Sequence, residues 1–246
     1  MKNNVLGIDV GGSGIKGSIV NVQTGQLLSE RFRLPTPEKG KPEDIAATIS
    51  EIIKHFNWKN KIGCGFPAAI NKGVSLTAAN IHKNWIGLNI ENFFKKKTGC
   101  EFKVINDADA AGLAEMNFGA GKKSNGTVLM LTVGTGIGTA LFINHNLLPN
   151  TELGHIELSG KDVELYASDA VRKKKDLSYK KWAIRFNKYL IKMNSLFYPD
   201  LIILGGGIVK KKEKYFKYLA LNSKIIPAAL GNDAGIIGAA SFASGL

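Results

Sequence analysis

The sequence is short of cysteine and of long hydrophobic runs. Its two cysteines, Cys64 and Cys100, lie far apart without a CxxC pair, which excludes a thiolate zinc site within the chain. A disulfide stays open on the count alone, but two reduced thiols in a cytoplasmic protein are the simpler interpretation. No apolar run is long enough to cross a bilayer, and Met1 to Asn4 lead into a strand without a signal segment. We therefore expect a soluble, cytoplasmic protein with no membrane partner.

Acidic residues are scarce relative to basic ones. The 246 residues include 20 acidic and 33 basic side chains, which gives a net charge of +13 at pH 7. An excess of this size attracts polyanions such as nucleic acid or a phosphate polymer, and charge alone does not choose among them. The chain carries no recognisable nucleic-acid-binding motif and its aromatic residues follow core-like patterns, so we expect no nucleic-acid partner.

Glycine, in contrast, is abundant, and its 28 residues are clustered. The first cluster lies between the strand-like segments Val5–Val10 and Ile15–Val22. The second lies between Thr127–Val133 and Ile137–Asn144, which have the same character. This repeated strand–turn–strand unit predicts two related α/β lobes with a cleft between them.

The remaining pattern sets the limits of the predicted lobes. The small lobe covers residues 1–107, with a C-terminal helix within 233–246 packing back on it, and the large lobe covers residues 108–232. A third N-terminal strand is predicted at Leu27–Leu34. Helices are predicted at Pro42 to about Phe56, Asp107 to about Phe118, Lys180–Leu196 and Ala234–Ala243.

The first glycine cluster is a candidate phosphate loop. The backbone N–H groups of Gly11, Gly12 and Ser13 can turn toward phosphate oxygens. Lys16 can add positive charge, and Asp9 can hold a magnesium ion through water. The cluster also fits GxGxxG, but that dinucleotide motif must open a helix and a strand follows here, so we reject it. A plain β-turn is the structural alternative.

The second glycine cluster contains Gly134, Thr135 and Gly136, and Gly206 follows another buried strand, Leu201–Leu204. Such glycines often only make hairpins, so each cluster is weak alone. Two loops at equivalent places in two lobes could clamp a phosphoryl donor from both sides. Phosphoryl transfer depends on that positioning and on charge neutralisation.

Polar residues outside the glycine clusters suggest a proton acceptor and a ligand site. Asn106 and Asp107 stand where a strand ends and a helix begins. An Asp at this point can cap the helix, or it can take a proton from an attacking hydroxyl. Glu152, His155 and Glu164 offer acceptors and an imidazole that together suit a polyhydroxylated ligand, although each alone is usually structural.

Several short segments stand in a characteristic order along the chain: Gly7–Asp9 with the glycine loop, Gly65–Pro67, Asn106–Asp107, Gly134–Gly138, Glu152–His155, Glu164 and Gly205–Gly207. Any one of them is weak, but the ordered set resembles the ROK family of bacterial sugar kinases and regulators. Within that family the chain resembles polyphosphate glucokinases most closely, through Asn106–Gly112, Phe118–Gly121 and Pro149–His155.

The resemblance implies an α/β fold of the actin-like (ribonuclease H-like) type with two lobes and a central cleft. It implies a kinase that phosphorylates glucose at the 6-hydroxyl, with polyphosphate as donor, ATP use left open, magnesium as cofactor and a homodimeric assembly. Asp107 would be the general base. The implied glucose ligands are Asn80, Asn106, Asp107, Glu152, His155 and Glu164, and the implied donor contacts are Asp9, Gly12, Thr135 and Gly136.

One departure from the family pattern concerns zinc. Many members carry a cysteine-rich zinc motif between the His of the GH pair and the later Glu, whereas residues 156–163 contain no cysteine. No zinc is therefore expected, and some other group must orient His155. Polyphosphate glucokinases are similar in lacking the motif.

The predicted helix Lys180–Leu196 carries Lys181, Arg185 and Lys188 on one face. This face is either the solvated side of an amphipathic helix or a track that guides a polyphosphate chain. A track of many weak phosphate contacts would make binding strongly dependent on salt.

Three alternatives stay open. The chain could be an ATP-only glucokinase, or a kinase for mannose or another hexose. It could be a sugar-responsive regulator, but a strand that starts at about Val5 leaves no room for a preceding DNA-binding module. It could finally be a polyanion-binding protein that uses its positive charge.

Overall fold

The computed structural model describes residues 3–79, 81–158 and 160–245, which form two units. The first unit extends to Phe118 and resumes at Asp233, and the second is Gly119–Asn232. The sequence placed its lobe boundary at residue 107, whereas the structure keeps the helix that begins there within the first unit. The reason is packing, because that helix lies against the C-terminal helix of the same unit.

The described part of the chain contains fifteen strands and seven α-helices. The strands are β1 (Asn4–Val10), β2 (Ile15–Asn21), β3 (Gln26–Leu27), β4 (Phe32–Leu34), β5 (Ile62–Phe66), β6 (Ile70–Asn71), β7 (Val74–Ser75), β8 (Phe102–Asn106), β9 (Thr127–Val133), β10 (Ile137–Ile143), β11 (Asn146–Leu148), β12 (Glu157–Leu158), β13 (Lys161–Asp162), β14 (Leu201–Gly205) and β15 (Lys224–Pro227). The helices are α1 (Pro42–His55), α2 (Ile90–Thr98), α3 (Asp107–Phe118), α4 (Glu164–Ala167), α5 (Asp169–Lys174), α6 (Tyr179–Phe197) and α7 (Ala234–Ser244).

The sheet of the first unit has the order β3-β2-β1-β5-β8, with β4 also paired to β2. β1 and β2 form an antiparallel hairpin, while β5 runs parallel to both β1 and β8. Asp9 is level with Gly65, and Phe66 is level with Asn106. The carboxyl ends of three neighbouring strands therefore meet at one edge of this sheet.

The sheet of the second unit has the order β11-β10-β9-β14-β15. β9 and β10 repeat the antiparallel hairpin of the first unit, and β14 runs parallel to β9 with Gly205 level with Thr132. Helix α6 covers this sheet with Trp182, Phe186 and Tyr189, all of which are fully buried. The repeated strand–turn–strand unit predicted from the glycine clusters is confirmed.

Close packing of α7 explains many of the glycines in the first unit. A Cβ atom on Gly63 of β5 would lie 1.9 Å from the carbonyl oxygen of Ala239. A Cβ atom on Gly238 would lie 1.6 Å from the carbonyl oxygen of Ala110 in α3. The backbones of strand and helices thus touch directly, and no larger residue fits between them.

The predicted strand Leu27–Leu34 is wrong as a continuous element. It divides into β3 and β4, because Ser29 bonds to β2 through its side chain instead of joining the ladder. The Ser29 hydroxyl accepts the N–H of Ile19 at 3.1 Å, and its carbonyl oxygen accepts the Ser18 hydroxyl at 2.9 Å. A side-chain contact of this kind leaves no periodic signal in the sequence.

Both cysteines are free and buried, which confirms the interpretation of two reduced thiols. Burial raises the pKa of the Cys64 thiol far above its usual range, so this residue is a small core side chain rather than a nucleophile. Among the described residues, no helix has the length and apolar character that spanning a membrane requires.

Candidate active site

In the first unit, the edge where β1, β5 and β8 end gathers the predicted carboxylates. Asp9 lies near the end of β1, Asn106 ends β8, and Asp107 opens α3. Ligands of α/β folds bind outside the carboxyl ends of strands, because loops and helix N-termini meet there. The register of the sheet therefore brings these three residues to the expected place.

The turn between β1 and β2 is held in place by hydrogen bonds from its own unit. The N–H of Gly11 donates to the carbonyl oxygen of Gly14 at 3.1 Å. The Thr36 hydroxyl donates to the carbonyl oxygen of Gly11, and the Arg33 guanidinium donates to that of Ser13. The first of these bonds uses the N–H of Gly11, so the N–H groups of Gly12 and Ser13 are the candidates of this loop that would face a phosphate.

Gly12 lies at the open side of this turn. It is exposed, and a Cβ atom placed on it would meet nothing within 4 Å. On Gly14, in contrast, a Cβ atom would lie 2.4 Å from the Arg33 guanidinium. Space around Gly12 is therefore available to a ligand, whereas a side chain at position 14 would collide with Arg33.

Lys16 and Asp9 form an ion pair across the hairpin, with Nζ 2.9 Å from Oδ2. Both side chains are largely buried, at 21% and 14% exposure, and the carboxylate packs against Gly235 of α7. Among the described residues no group of three or more His, Cys, Asp or Glu side chains is arranged to hold a metal ion. Asp9 nevertheless fits magnesium, which binds through one or two carboxylates and completes its coordination with water and phosphate oxygens.

Asn106 supplies the cap of helix α3. Its Oδ1 accepts the N–H groups of Ala108 at 2.9 Å and Asp109 at 3.1 Å, and its Nδ2 donates to the carbonyl oxygen of Ala68 at 3.2 Å. Asp107 also accepts the N–H of Ala108. Asp109 is fully buried while Asp107 is partly exposed, so Asp107 is the carboxylate of this segment that a ligand can reach.

In the second unit, two glycine segments lie side by side after β9 and β14. The N–H of Gly134 donates to the carbonyl oxygen of Gly136 at 3.0 Å, which closes a tight turn with Thr135 exposed. Gly206 has a positive φ of 80°, and a Cβ atom there would lie 2.5 Å from the carbonyl oxygen of Val133. The parallel pairing of the two strands thus brings the predicted donor-binding glycines of this unit together.

Glu164 lies directly against the second glycine turn. Its Oε2 accepts the N–H of Ile137 at 2.9 Å, and a Cβ atom on Gly136 would lie 2.1 Å from the same oxygen. Glycine at position 136 therefore makes room for a carboxylate as well as forming a turn. No pattern in the sequence indicates this contact.

The imidazole of His155 lies between the carboxylates of Asp162 and Glu152. His155 Nδ1 lies 3.0 Å from Asp162 Oδ2, and His155 Nε2 lies 4.0 Å from Glu152 Oε2. The second oxygen of Asp162 accepts the N–H of Glu164 at 2.8 Å. The structure thus brings Glu152 and Glu164 to His155, with Asp162 bonded to both His155 and the backbone of Glu164.

This cluster is electrostatically negative around one imidazole. The hydrogen bond to Asp162 is the main cause that raises the pKa of His155, burial opposes it, and the charges of Glu164, Asp162 and Glu152 add to it. Burial raises the pKa of Glu152, with His155 opposing and Glu164 adding. The arrangement therefore offers a sugar hydroxyl both carboxylate acceptors and a polar imidazole.

The predicted basic face of α6 is present on the surface. Lys181 and Lys188 are exposed and Arg185 is partly buried. The Arg185 guanidinium lies 5.2 Å from the ring centre of Tyr166, two residues after Glu164. One end of this basic face therefore adjoins helix α4, which begins at a predicted sugar ligand.

The predicted site residues thus fall into two groups. Asp9, Gly11, Gly12, Ser13, Lys16, Asn106 and Asp107 belong to the first unit, and Gly134, Thr135, Gly136, Glu152, His155, Glu164 and Gly206 belong to the second. Asn80 lies outside the described residues. The roles given to these residues stay predictions.

Comparison with known proteins decides the family. The sequence pattern of the ROK family matches residues 5–168, which include both glycine turns and the segment from Glu152 to Glu164. The chain belongs to the ROK family. The ROK resemblance drawn from short motifs is therefore confirmed.

Individual relatives narrow the comparison within the ROK family. The chain is 47% identical over 236 residues to polyphosphate glucokinase of Mycobacterium tuberculosis (strain CDC 1551 / Oshkosh), covering 96% of this chain and 89% of that one. It is similar to the inorganic polyphosphate/ATP-glucomannokinase of Arthrobacter sp. strain KM, with 43% identity, a TM-score of 0.93 and 96% of each chain covered. The closer similarity to polyphosphate glucokinases is confirmed.

A more distant structure supports the fold alone. A ROK family glucokinase from Streptomyces griseus, in complex with glucose and AMPPNP, is 23% identical, with a TM-score of 0.83 and coverage of 99% of this chain and 100% of that one. The predicted actin-like α/β fold of ROK sugar kinases is confirmed by these likenesses.

Sequence reasoning missed Asp162. The missing cysteines of the ROK zinc motif indicated that another group must orient His155, and residues 156–163 contain two carboxylates, Glu157 and Asp162. The choice between them depends on the β12–β13 hairpin, in which these two residues are paired. Strands of two residues are too short for periodicity to predict that register.

Proposed function

We propose that the chain phosphorylates glucose at its 6-hydroxyl with inorganic polyphosphate as the donor, and that it also uses ATP. The observation that carries this proposal is the 47% identity to a polyphosphate glucokinase over 96% of the chain. The structural likeness to a polyphosphate/ATP-glucomannokinase, also over 96% of the chain, supports it. Mannose is a second substrate to test, because the relative from Arthrobacter sp. strain KM is a glucomannokinase.

Asp107 is the proposed general base. It would accept the proton of the attacking hydroxyl while that oxygen bonds to the terminal phosphorus of the donor and the bond from this phosphorus to the rest of the donor breaks, which releases the shortened donor. Its partial exposure at a strand end supports this role, and so does the cap that Asn106 provides, because a capped helix start holds the carboxylate in place. General base catalysis of this kind contributes about 10²- to 10⁴-fold to a rate.

Glu152, His155 and Glu164 are the proposed glucose ligands, together with Asn80 and Asn106. Sugar hydroxyls both donate and accept hydrogen bonds, so carboxylates and an imidazole can recognise them in specific directions. The approach of Glu152 and Glu164 to His155 supports this assignment. The Asn106 side chain also caps α3 and donates to the carbonyl oxygen of Ala68, which would hold it in one orientation for the sugar.

The two glycine turns are the proposed donor contacts. Exposed Gly12 and Thr135 leave room for phosphate oxygens to approach backbone N–H groups. Asp9 would hold magnesium through water, with Lys16 beside it. When bound, this ion supplies positive charge that neutralises the phosphate oxygens of the donor. The cytoplasmic location and the homodimer remain part of the proposal.

Replacement of the base tests the proposal at its chemical step. In Asp107→Asn the shape and the helix start are retained, but the amide cannot accept a proton. We expect kcat to fall by about 10²- to 10⁴-fold while glucose binding, measured by calorimetry, stays within a few-fold of wild type.

Asp44→Asn is the matched control, because Asp44 is an exposed carboxylate in the first turn of α1 in the same unit. It should leave kcat unchanged. Near-wild-type turnover by Asp107→Asn would eliminate Asp107 as the base.

A further inference from the structure

We propose that Asp162 is the positioning residue of the sugar site, where its carboxylate fixes the imidazole of His155 and the backbone of Glu164. The inference deepens the function proposed above, and its glucose-binding part rests on that function. Its structural part, the orientation of His155, stands on the geometry of the second unit alone.

The position of Asp162 is set by the backbone. β12 and β13 pair with Glu157 level with Asp162, and the N–H of Val163 donates to the carbonyl oxygen of Ile156 at 3.0 Å. This pairing brings the chain back beside its own starting point, next to His155. Asp162 therefore reaches His155 because of the hairpin register, which places Glu157 on the opposite strand.

The two oxygens of Asp162 have separate partners. Oδ2 lies 3.0 Å from His155 Nδ1, and Oδ1 accepts the N–H of Glu164 at 2.8 Å. A carboxylate can only accept, so the neutral imidazole must carry its proton on Nδ1. Nε2 is then the nitrogen left to accept a hydrogen bond from a ligand hydroxyl.

The connection continues to the glycine turn. Glu164 is the first residue of α4 and follows Asp162 by two positions. Its side-chain carboxylate accepts the N–H of Ile137. Asp162 thus holds the start of α4, and α4 carries Glu164 against Gly136. Loss of Asp162 would release two predicted sugar ligands together.

The charges that face His155 come from three places. Asp162 lies on β13, Glu164 opens α4, and Glu152 precedes His155 by three residues. All three favour the protonated imidazole, and the hydrogen bond that His155 donates to Asp162 is the largest contribution. Removal of the Asp162 charge should therefore lower the pKa of His155, while Glu152 and Glu164 keep part of the effect.

The first experiment measures the imidazole itself by ¹⁵N NMR across pH, without substrate. The signal of His155 is assigned by its loss in His155→Gln, since the chain has four histidines. In the wild-type protein we expect the neutral ring to carry its proton on Nδ1. In Asp162→Asn we expect a lower pKa and a mixture of the two tautomers.

Glu157→Gln is the matched control, because it removes one negative charge from the exposed residue directly across the same hairpin. It should leave both the tautomer and the pKa of His155 unchanged. A neutral His155 ring that carries its proton on Nε2 in the wild-type protein would overturn the proposal. This test uses the wild-type protein alone, so it does not depend on whether a variant folds.

The second experiment measures glucose phosphorylation. Asp162→Asn should raise the KM for glucose by about 10- to 100-fold, the size of effect seen when a metal-binding histidine loses the residue that orients it, and change the KM for polyphosphate much less. Glu157→Gln should match wild type. An unchanged KM for glucose in Asp162→Asn would contradict the sugar-site role. If the NMR result holds but wild type phosphorylates no sugar, the proposed function fails and the orientation of His155 by Asp162 stands.

Discussion

Beside the first glycine turn, the charge of Lys16 is balanced by the carboxylate of Asp9. Lys16 is bound to Asp9 at 2.9 Å, so its ammonium is already partly neutralised before any phosphate arrives. A phosphoryl donor with its magnesium ion would add one negative and one positive partner to this pair. The pair can therefore adjust to the donor without leaving a buried charge alone, which would be costly.

A substitution at Gly12 can test whether phosphate binds at this turn without changing the stability of the fold. Gly12→Ala adds a methyl group where nothing lies within 4 Å, so we expect the free energy of unfolding to change by less than about 0.5 kcal/mol. The same methyl group would hold phosphate away from the backbone N–H groups. We expect the KM for polyphosphate to rise about tenfold or more, equivalent to about 1.4 kcal/mol.

Gly63→Ala should show the opposite pattern. Its Cβ atom would lie 1.9 Å from the backbone of α7, so the free energy of unfolding should fall by about 1–3 kcal/mol with little effect on the donor KM. Chemical denaturation and steady-state kinetics measure both quantities. An unchanged donor KM in Gly12→Ala would remove this turn from the donor site.

Residue types predicted which segments carry candidate site residues, but they did not distinguish exposed members from buried ones. Asp107 and Asp109 are alike in sequence, yet one is partly exposed and the other fully buried. The difference comes from their directions on α3, which packs against α7. Asp162 escaped notice for a similar reason, because its contact with His155 depends on a short hairpin.

At the scale of elements, α6 is the part of the chain where positive charge is best organised. Its buried side packs on the second sheet through Trp182 and Phe186, and Lys181 and Lys188 stand on one exposed flank. Lys180 lies on the other flank, 5.9 Å from the ring centre of Tyr218. The helix therefore provides two basic flanks that can be compared with each other.

Charge reversal on these flanks tests the polyphosphate track. The double change Lys181→Glu and Lys188→Glu leaves the packed Arg185 in place. We expect it to raise the KM for polyphosphate more than the KM for ATP, and to reduce the salt dependence of polyphosphate binding by about two phosphate contacts. Steady-state kinetics at several salt concentrations measure both effects.

The control makes the same change of charge beside the other flank, with Lys180→Glu on α6 and Lys217→Glu on the separate segment Phe216–Tyr218. The ammonium groups of both lysines face Tyr218. It should affect polyphosphate less. Equal effects of the two pairs, or equal effects on both donors, would show that the predicted track is an ordinary solvated face.

Helices α1, α6 and α7 were predicted within one or two residues. The buried faces of α1 and α6 repeat regularly, so the sequence contains the signal, whereas α7 is buried almost all round and was predicted from its run of small residues. The failure at Leu27–Leu34 came from a contact between Ser18 and Ser29, which no local pattern contains. The β12–β13 hairpin was not predicted either, and it carries the residue that orients His155.

At the scale of the whole molecule, the chain uses one strand–turn–strand design twice. Each unit places a glycine turn after its first strand and its candidate ligands at the same edge of the sheet. Ordered motifs and this repetition sufficed to predict the actin-like fold. Hydrogen bonds such as those of Asp162 could not be predicted, because they depend on distances that only the folded chain defines.

The most direct test of the account is the formation of glucose 6-phosphate by the purified protein in the presence of magnesium. Polyphosphate and ATP are compared at matched concentrations of transferable phosphoryl groups. We expect turnover with both donors and a higher rate with polyphosphate. Turnover with ATP alone would contradict the assignment of the donor, and no turnover with either donor would contradict the assignment of the reaction.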